Sequence, residues 1–326
     1  MENHEETVQY TDFRDRKTGL VVCGILEIIL GVLCALMALD FIVSAALHNN
    51  SARPINVGTI ARAGLPAVLF IWMGIGSIKT CRWARALSLV LSWIWLLVGV
   101  SSLILMLVFM PHMHDQMYPK GQMSKEIMVI SRYWMPGLMA VIYVIVPAAF
   151  LLFYRSRNVK ATCECRDPLV RWTDKCPLPV LAVSLMYGLG ACLMLSRGFY
   201  WWAIPFFGFI LSGMAGSVAA FINILLLGYV AWGTYKLKIT AWWCAILMTV
   251  AWALSASITL SRVSLWDLYE KMNFPKQQLD IMALYIMPHY SSIALLSRIW
   301  VVCIIGYLLY AKRYFASPLS LNQNNT

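Results

Sequence analysis

The segment GLVVCGILEIILGVLCALMALDF, residues Gly19 to Phe41, decides the fold class of this chain. Glu27 and Asp40 are its only charged residues. A helix of about twenty apolar residues, rising about 1.5 Å per residue, crosses a hydrocarbon core of about 30 Å. Helices in soluble cores carry a polar face, which this segment lacks. It therefore predicts a membrane-spanning helix.

The rest of the sequence repeats this pattern. Of its 326 residues, 60% are hydrophobic and 13% are charged, which exceeds what a soluble domain needs to fill one core. We therefore predict an all-α membrane protein with eight transmembrane helices. The seven further runs are Thr59 to Ile78, Ala84 to Met110, Tyr133 to Tyr154, Leu178 to Leu195, Ile210 to Trp232, Ala241 to Leu260 and Tyr290 to Leu309. Trp201, Trp202 and Pro205 are expected at the membrane interface in front of the sixth run.

The distribution of lysine and arginine predicts the orientation. With the N-terminus inside, sixteen of these residues lie in inner segments and nine in outer ones, while Arg298 falls within a span. Both termini are therefore expected in the cytoplasm. The net charge of +11 is spread over all the inner loops rather than massed in one domain. This favours contact with anionic lipid, and we expect no nucleic-acid partner.

An internal duplication is indicated by matches at a shift of 159 residues, which pair Gly31 with Gly190, Gly74 with Gly233 and Trp83 with Trp242. Such self-similarity is typical of tandem units. An even number of spans per unit makes the two units parallel in the membrane. The predicted organisation is an N-terminal cytoplasmic tail (1–18), a first four-helix unit (19–160), a cytoplasmic linker (161–177), a second four-helix unit (178–313) and a C-terminal cytoplasmic tail (314–326).

Two basic stretches carry a resemblance to known proteins. They are Arg82-Trp83-Ala84-Arg85 in an inner hairpin and Phe153-Tyr154-Arg155-Ser156-Arg157-Asn158-Val159-Lys160 at the end of the first unit. In these stretches the chain resembles uncharacterised multi-pass inner-membrane proteins of bacteria. The resemblance implies a bacterial inner membrane and no particular activity.

Three polar residues within the predicted spans are candidates for a functional site: Glu27, Arg298 and Asn223. A charge at the centre of a bilayer costs at least about 2.5 kcal/mol, so Glu27 and Arg298 need a partner or a polar path. Gly31, at helical spacing from Glu27, predicts that Glu27 faces another helix. Glu27 and Arg298 either form a path for a proton or an anionic group, or pair across the bundle, or Glu27 is protonated and hydrogen-bonded to a neighbour. Asn223 fits a hydrogen bond that joins helices equally well.

Metal sites are suggested by two clusters. Thioether and imidazole groups at the outer end of the third span, His112, Met113, His114 and Met117, suit copper. The second cluster consists of three thiols in the linker, Cys163, Cys165 and Cys176, which lack the paired spacing of a zinc site. Neither cluster outweighs its structural explanation, so no cofactor is predicted.

Catalytic signatures are absent from the sequence, including His-Glu-x-x-His, Gly-x-Ser-x-Gly and the phosphate-binding glycine loops. An enzyme is therefore less expected than a non-catalytic protein. Three hypotheses remain: a small permease or channel-like protein with a path between the two repeats, a membrane scaffold or accessory subunit, and a membrane-embedded metal handler or enzyme. The expected partners are the lipid bilayer and either another membrane protein or a second copy of the chain.

Overall fold

Helices make up almost all of the chain that the computed structural model describes, namely residues 13–47, 57–117, 125–195, 203–264, 266–267, 270 and 290–315. Most of these helices are long and joined by short connections. They are α1 (Lys17–Leu47), α2 (Val57–Ile78), α3 (Arg82–Met117), α4 (Lys125–Ala140), α5 (Val146–Arg155), α6 (Arg157–Arg166), α7 (Leu178–Leu195), α8 (Gly213–Tyr235), α9 (Ile239–Arg262) and α10 (Tyr290–Ala311).

Seven segments in the described part of the chain are long and apolar enough to cross a membrane. Helix α2 is not among them, because it contributes only the shorter apolar segment Gly64–Ile78. The structure thus fits a multi-pass integral membrane protein, while the predicted count of eight is not confirmed. Large apolar side chains such as Met37, Leu152 and Leu247 are more than half exposed. Such outward-facing residues are expected where lipid, and not water, surrounds the helices.

The helices α1 and α2 approach each other most closely through glycines. A Cβ atom added to Gly74 would lie 2.6 Å from the main-chain oxygen of Gly24, and one added to Gly31 would lie 3.0 Å from that of Ala67. Small residues let helix backbones meet in a membrane, where dispersion contacts drive association. Gly31 therefore does face another helix, α2.

The fourth span is interrupted by a π-helical turn, Val141–Ile145, between α4 and α5. Pro147 follows this turn at the start of α5. Proline lacks an N–H group and its ring clashes with the carbonyl four residues earlier, here that of Tyr143. The Tyr143 oxygen projects toward α3, where a Cβ atom on Gly99 would be only 2.0 Å away. Gly99 thus makes room for the displaced carbonyl.

Two hairpins, α2–α3 and α8–α9, share one geometry. Thr80 and Leu237 both have a φ of 55°, which ends the preceding helix in the left-handed region. The next N–H groups bond back to the helix in the same pattern, from Cys81 to the Gly76 oxygen and from Lys238 to the Gly233 oxygen, each at 2.9 Å. These matching positions differ by 157 residues, so the sequence shift of 159 is two residues too long here.

A small β-hairpin precedes α8, with strands β1 (Ile204–Phe206) and β2 (Phe209–Leu211) paired antiparallel. The prediction that the sixth span begins at Ile210 is wrong by three residues, because α8 begins at Gly213. Pro205 disfavours a helix here, and Phe207 and Gly208 form the turn with positive φ values of 41° and 102°. The hydroxyl groups of Ser255 and Thr259 on α9 accept hydrogen bonds from this turn.

One end of the bundle gathers the segment before α1, the linker and the α2–α3 hairpin. The N–H of Arg16 donates to Thr162 on α6, and Asp167 accepts from the N–H of Arg82 at the start of α3. Tyr235, at the end of α8, donates to the main-chain oxygen of Trp172 in the linker. Helix α6 begins at Arg157, so it crosses the predicted boundary between the first unit and the linker.

Candidate functional site

Glu27 lies in the interior of the first unit, where only 1% of its surface is exposed. Its Oε1 atom accepts hydrogen bonds from Ser88 on α3 at 2.8 Å and from Tyr154 on α5 at 3.1 Å. Its Oε2 atom accepts from Ser77 on α2 at 3.0 Å. Ser77 and Tyr154 also contact each other, with 2.8 Å between their hydroxyl oxygens. We call these four residues the Glu27 cluster.

Four helices, α1, α2, α3 and α5, each contribute one member to the Glu27 cluster. Ser77 is one residue from the end of α2 and Tyr154 one residue from the end of α5, while Ser88 lies six residues after the start of α3. These helix ends lie at the same end of the bundle as the linker. The cluster thus joins these four helices near one end of the bundle.

Arg298 lies in the second unit, eight residues after the start of α10, which places it about 12 Å along the helix axis. Its side chain lines a cavity of about 1000 Å³ between α7, α8, α9 and α10. Among the described residues, none forms an ion pair or a hydrogen bond with its guanidinium group. The ion pairs among the described residues are Arg82–Asp174, Lys160–Glu164, Arg166–Asp15 and Arg171–Asp167, and none of them includes Arg298. Glu27 and Arg298 therefore do not pair.

The cavity is apolar apart from Arg298 and a few hydroxyl groups. Ser297 and Ser261 donate their hydroxyl hydrogens to carbonyls of their own helices at 2.8 Å, and so does Thr249. Tyr187 lies 2.9 Å from the Thr249 hydroxyl and can donate to it, because Thr249 already donates its own hydrogen to the Ala245 oxygen. These four groups offer a ligand only acceptor positions, whereas Ser257, which also lines the cavity, can donate. Arg298 is thus the charged group that a molecule in the cavity would meet.

Asn223 forms a hydrogen bond between two helices. Its Oδ1 atom accepts from the indole N–H of Trp252 on α9 at 3.1 Å. Trp252 also lines the cavity, whereas Asn223 does not. Of the two interpretations of Asn223, this contact favours the joining of helices.

The two metal hypotheses have different outcomes. The side chains of His112, Met113, His114 and Met117 lie outside the described residues, so the structure does not test the copper hypothesis. Cys163 packs with Leu20 and Tyr154 in the core of the first unit, whereas Cys176 packs with Val180 and Trp242 in the core of the second. The thiols therefore point into separate cores, and no group of metal ligands occurs among the described residues.

The sequence interpretation missed the residues with hydroxyl groups. These residues carry no charge, so a hydropathy analysis does not distinguish them from their apolar neighbours. They are Ser77, Ser88 and Tyr154 at the Glu27 cluster and Tyr187, Ser257 and Ser297 at the cavity. A signal existed only for Tyr154, which sits beside a charged residue at the end of a predicted span. The partners of Glu27 become visible only when the helices are packed.

Comparison with known proteins gives no family for this chain. No protein-family description matches it, and no curated protein or solved structure does. Function therefore has to be argued from the cavity and the polar clusters alone.

Proposed function

We propose that this chain is a small permease-like protein of a bacterial inner membrane, and that its substrate site is the Arg298 cavity. The proposal also retains eight spans, two tandem four-helix units and cytoplasmic termini. The matching hairpins at Thr80 and Leu237 support the tandem units. The excess of lysine and arginine in the inner segments supports the orientation.

The cavity with its single guanidinium group carries the proposal. A cavity of about 1000 Å³ is at the upper end of what small-molecule sites use, and an inert bundle does not need one. An arginine this far from the helix ends costs at least about 2.5 kcal/mol unless a partner offsets it. We infer that the substrate supplies that partner. It would be a molecule with an apolar body and one anionic group.

The path differs from the one that the sequence suggested. The cavity lies between α7, α8, α9 and α10, all of which follow the linker, and not along the proposed seam between the repeats. Glu27 makes its hydrogen bonds with α2, α3 and α5, so this proposal does not include it in the path.

Accessibility of introduced cysteines tests the proposal. Ser257→Cys and Ser297→Cys place thiols at the cavity, whereas the matched control Leu254→Cys places one on the exposed outer face of α9. The background should lack the exposed native cysteines Cys165, Cys192 and Cys303. In proteoliposomes we expect a membrane-impermeant thiosulfonate to modify Ser257→Cys and Ser297→Cys but not Leu254→Cys.

Protection by an anionic amphiphile tests the substrate class. We expect decanoate to slow modification of Ser257→Cys, and decanol at the same membrane concentration to have no effect. If neither cavity thiol reacts from either side of a folded protein, the cavity is dry and the permease proposal fails. If decanol protects as well as decanoate does, the site is apolar and the anionic substrate class fails.

A scaffold or accessory subunit is the second candidate. The Glu27 cluster favours it, because a buried carboxyl whose hydrogen bonds are all made inside one unit fits a role in holding helices together. Failure of the accessibility experiment would support this candidate. The metal-handling and enzyme hypotheses gain no observation from the described residues.

A further inference from the structure

The hydrogens available to the Glu27 cluster can be counted. Four contacts of hydrogen-bond length connect its members: Glu27 with Ser77, Glu27 with Ser88, Glu27 with Tyr154, and Ser77 with Tyr154. Each contact needs one hydrogen between its two oxygens. The three hydroxyl groups supply one hydrogen each, and an ionised carboxylate supplies none. A charged Glu27 therefore leaves one contact without a hydrogen.

A proton on Glu27 supplies the missing hydrogen. Oε2 then donates to the Ser77 oxygen, Ser77 donates to the Tyr154 oxygen, and Tyr154 donates to Oε1. Ser88 donates to Oε1 as well, which that oxygen can accept with its second lone pair. Every contact now holds one hydrogen. The three contacts among Glu27, Ser77 and Tyr154 form a closed ring.

The surroundings of the cluster offer no compensating cation among the described residues. Arg85, one turn before Ser88 on α3, directs its Nε–H to the main-chain oxygen of Tyr154 at 3.1 Å. The other titratable side chains that face this core are Cys23 on α1 and Cys163 on α6. A metal ion does not fit between the oxygens either, because they already lie at direct hydrogen-bond distance from one another.

We infer that Glu27 is a proton-binding site of the first unit and that the bound proton closes a hydrogen-bond ring across three of its spans, with Ser88 adding the fourth. The step is the addition of H⁺ to the Glu27 carboxylate to give the neutral acid, and no other bond is made or broken. This inference goes beyond the proposed function and does not depend on the Arg298 cavity.

Carbon-13 spectroscopy tests the inference on the unmodified protein. Glutamate labelled at the side-chain carboxyl is incorporated, and the carboxyl resonances are recorded in lipid bilayers at pH 7. We expect one resonance at the shift of a neutral carboxylic acid and the remaining glutamates at that of carboxylates. If all of the glutamate carboxyls are ionised at pH 7, the inference is wrong.

Two variants assign the signal. In Glu27→Gln the amide N–H replaces the bound proton and the amide oxygen still accepts from Ser88 and Tyr154, so we expect the neutral-acid resonance to vanish while the fold is kept. The matched control Glu164→Gln alters a carboxyl of the linker that pairs with Lys160, and the resonance should persist. Persistence in Glu27→Gln would place the proton elsewhere and overturn the inference. Should this variant not fold, the wild-type spectrum still decides whether any glutamate is neutral, and persistence of the resonance in a variant in which every other glutamate is replaced by glutamine assigns it to Glu27.

Discussion

At the scale of single residues, the two intramembrane charges are accommodated in different ways. Glu27 is surrounded by three hydroxyl groups from three other helices. Arg298 has no such partner among the described residues and borders a cavity. A polar group in lipid must find its partners within the protein or in a ligand, because the hydrocarbon offers none. The Glu27 carboxyl group therefore has a structural explanation in the fold, while the Arg298 guanidinium suggests a ligand.

The contribution of Glu27 to stability is expected to follow from its hydrogen bonds. Hydrogen bonds between helices in membranes average about 0.6 kcal/mol each, so losing three in Glu27→Ala should lower the free energy of unfolding by about 2 kcal/mol, with a further loss from the cavity. Glu27→Gln should stay within about 1 kcal/mol of the wild type. Unfolding in a graded series of sodium dodecyl sulfate measures both. Equal losses for the two variants would contradict this account.

Arg298 is expected to govern binding and not stability. Arg298→Gln should abolish protection of a cavity cysteine by decanoate, because the guanidinium is the anion-binding group. Arg298→Lys should keep part of this protection, since lysine keeps the positive charge but lacks the planar guanidinium group that donates two parallel hydrogen bonds. The free energy of unfolding should not fall in Arg298→Gln, as the variant removes a costly charge. Undiminished protection by decanoate in Arg298→Gln would contradict the assignment.

At the scale of elements, close helix contact and the connecting linker give the first unit its form. The helices α1 and α2 meet through glycine, and α3 makes room for the π-helical turn at Gly99. The linker then ties the start of α3 to the segment before α1 through Asp167 and α6. Burial opposes ionisation of Asp167, yet its hydrogen bonds with Arg171 and the Arg82 N–H lower its pKa overall.

A methyl group at Gly74 is expected to disrupt the α1–α2 contact. The added Cβ would lie 2.6 Å from the main-chain oxygen of Gly24, and backbone atoms cannot move away without separating the helices. Overpacking of this kind costs about 1 to 3 kcal/mol. Gly64→Ala is the control in the same helix, because nothing lies within 4 Å of its added Cβ. Unfolding midpoints in detergent should fall for Gly74→Ala only.

The linker thiols should differ in reactivity. Burial raises the pKa of Cys163 to about 11 and that of Cys176 to about 12, whereas Cys165 is exposed. The thiolate is the reactive form, so at pH 8 Cys163 should have a thiolate population lower by roughly 100-fold or more than a free cysteine with a pKa of about 8.5. Alkylation followed by peptide mass analysis should find Cys165 modified first. The reactivity of Cys163 should rise with pH toward 11, and equal rates in the folded protein at pH 8 would refute this.

At the scale of the whole molecule, α3 contacts the helices that follow the linker. Ala86 on α3 packs in the same core as Val180 and Trp242 of the second unit. Farther along α3, Ser101 accepts a hydrogen bond from the indole N–H of Trp300 on α10 at 2.7 Å. At the other end of the chain, Lys312 lies 5.0 Å from the Trp242 ring, close to the α8–α9 hairpin. The described residues nearest both termini therefore lie at the same end of the bundle.

Reporter fusions should place both termini in the cytoplasm. The end of the bundle near the termini carries Lys79, Arg82, Lys160, Lys236 and Lys312, as the bias of positive charge toward the cytoplasm requires. Green fluorescent protein fused to either terminus should fluoresce. Alkaline phosphatase at the same positions should be inactive and should be active only when fused in an outer loop. Opposite results at the two termini would exclude an even number of spans.

The sequence by itself determined the class of this protein and the positions of most spans. Hydropathy belongs to each segment separately, so the run Leu178–Leu195 was predicted with the bounds that the structure shows. The sequence also indicated that Glu27 faces protein, because Gly31 lies at helical spacing from it on the same helix. The start of α8 and the π-helical turn were harder to predict, because a single proline or glycine is compatible with several local backbone conformations.

Only the tertiary structure decided which polar groups meet. Ser77, Ser88 and Tyr154 are up to 127 residues from Glu27 along the chain, and nothing in their own segments marks them as its partners. Likewise, the cavity beside Arg298 exists because of how α7, α9 and α10 diverge. Hydrogen bonding and enclosed volume depend on the relative placement of helices, whereas membrane insertion depends on the composition of each one.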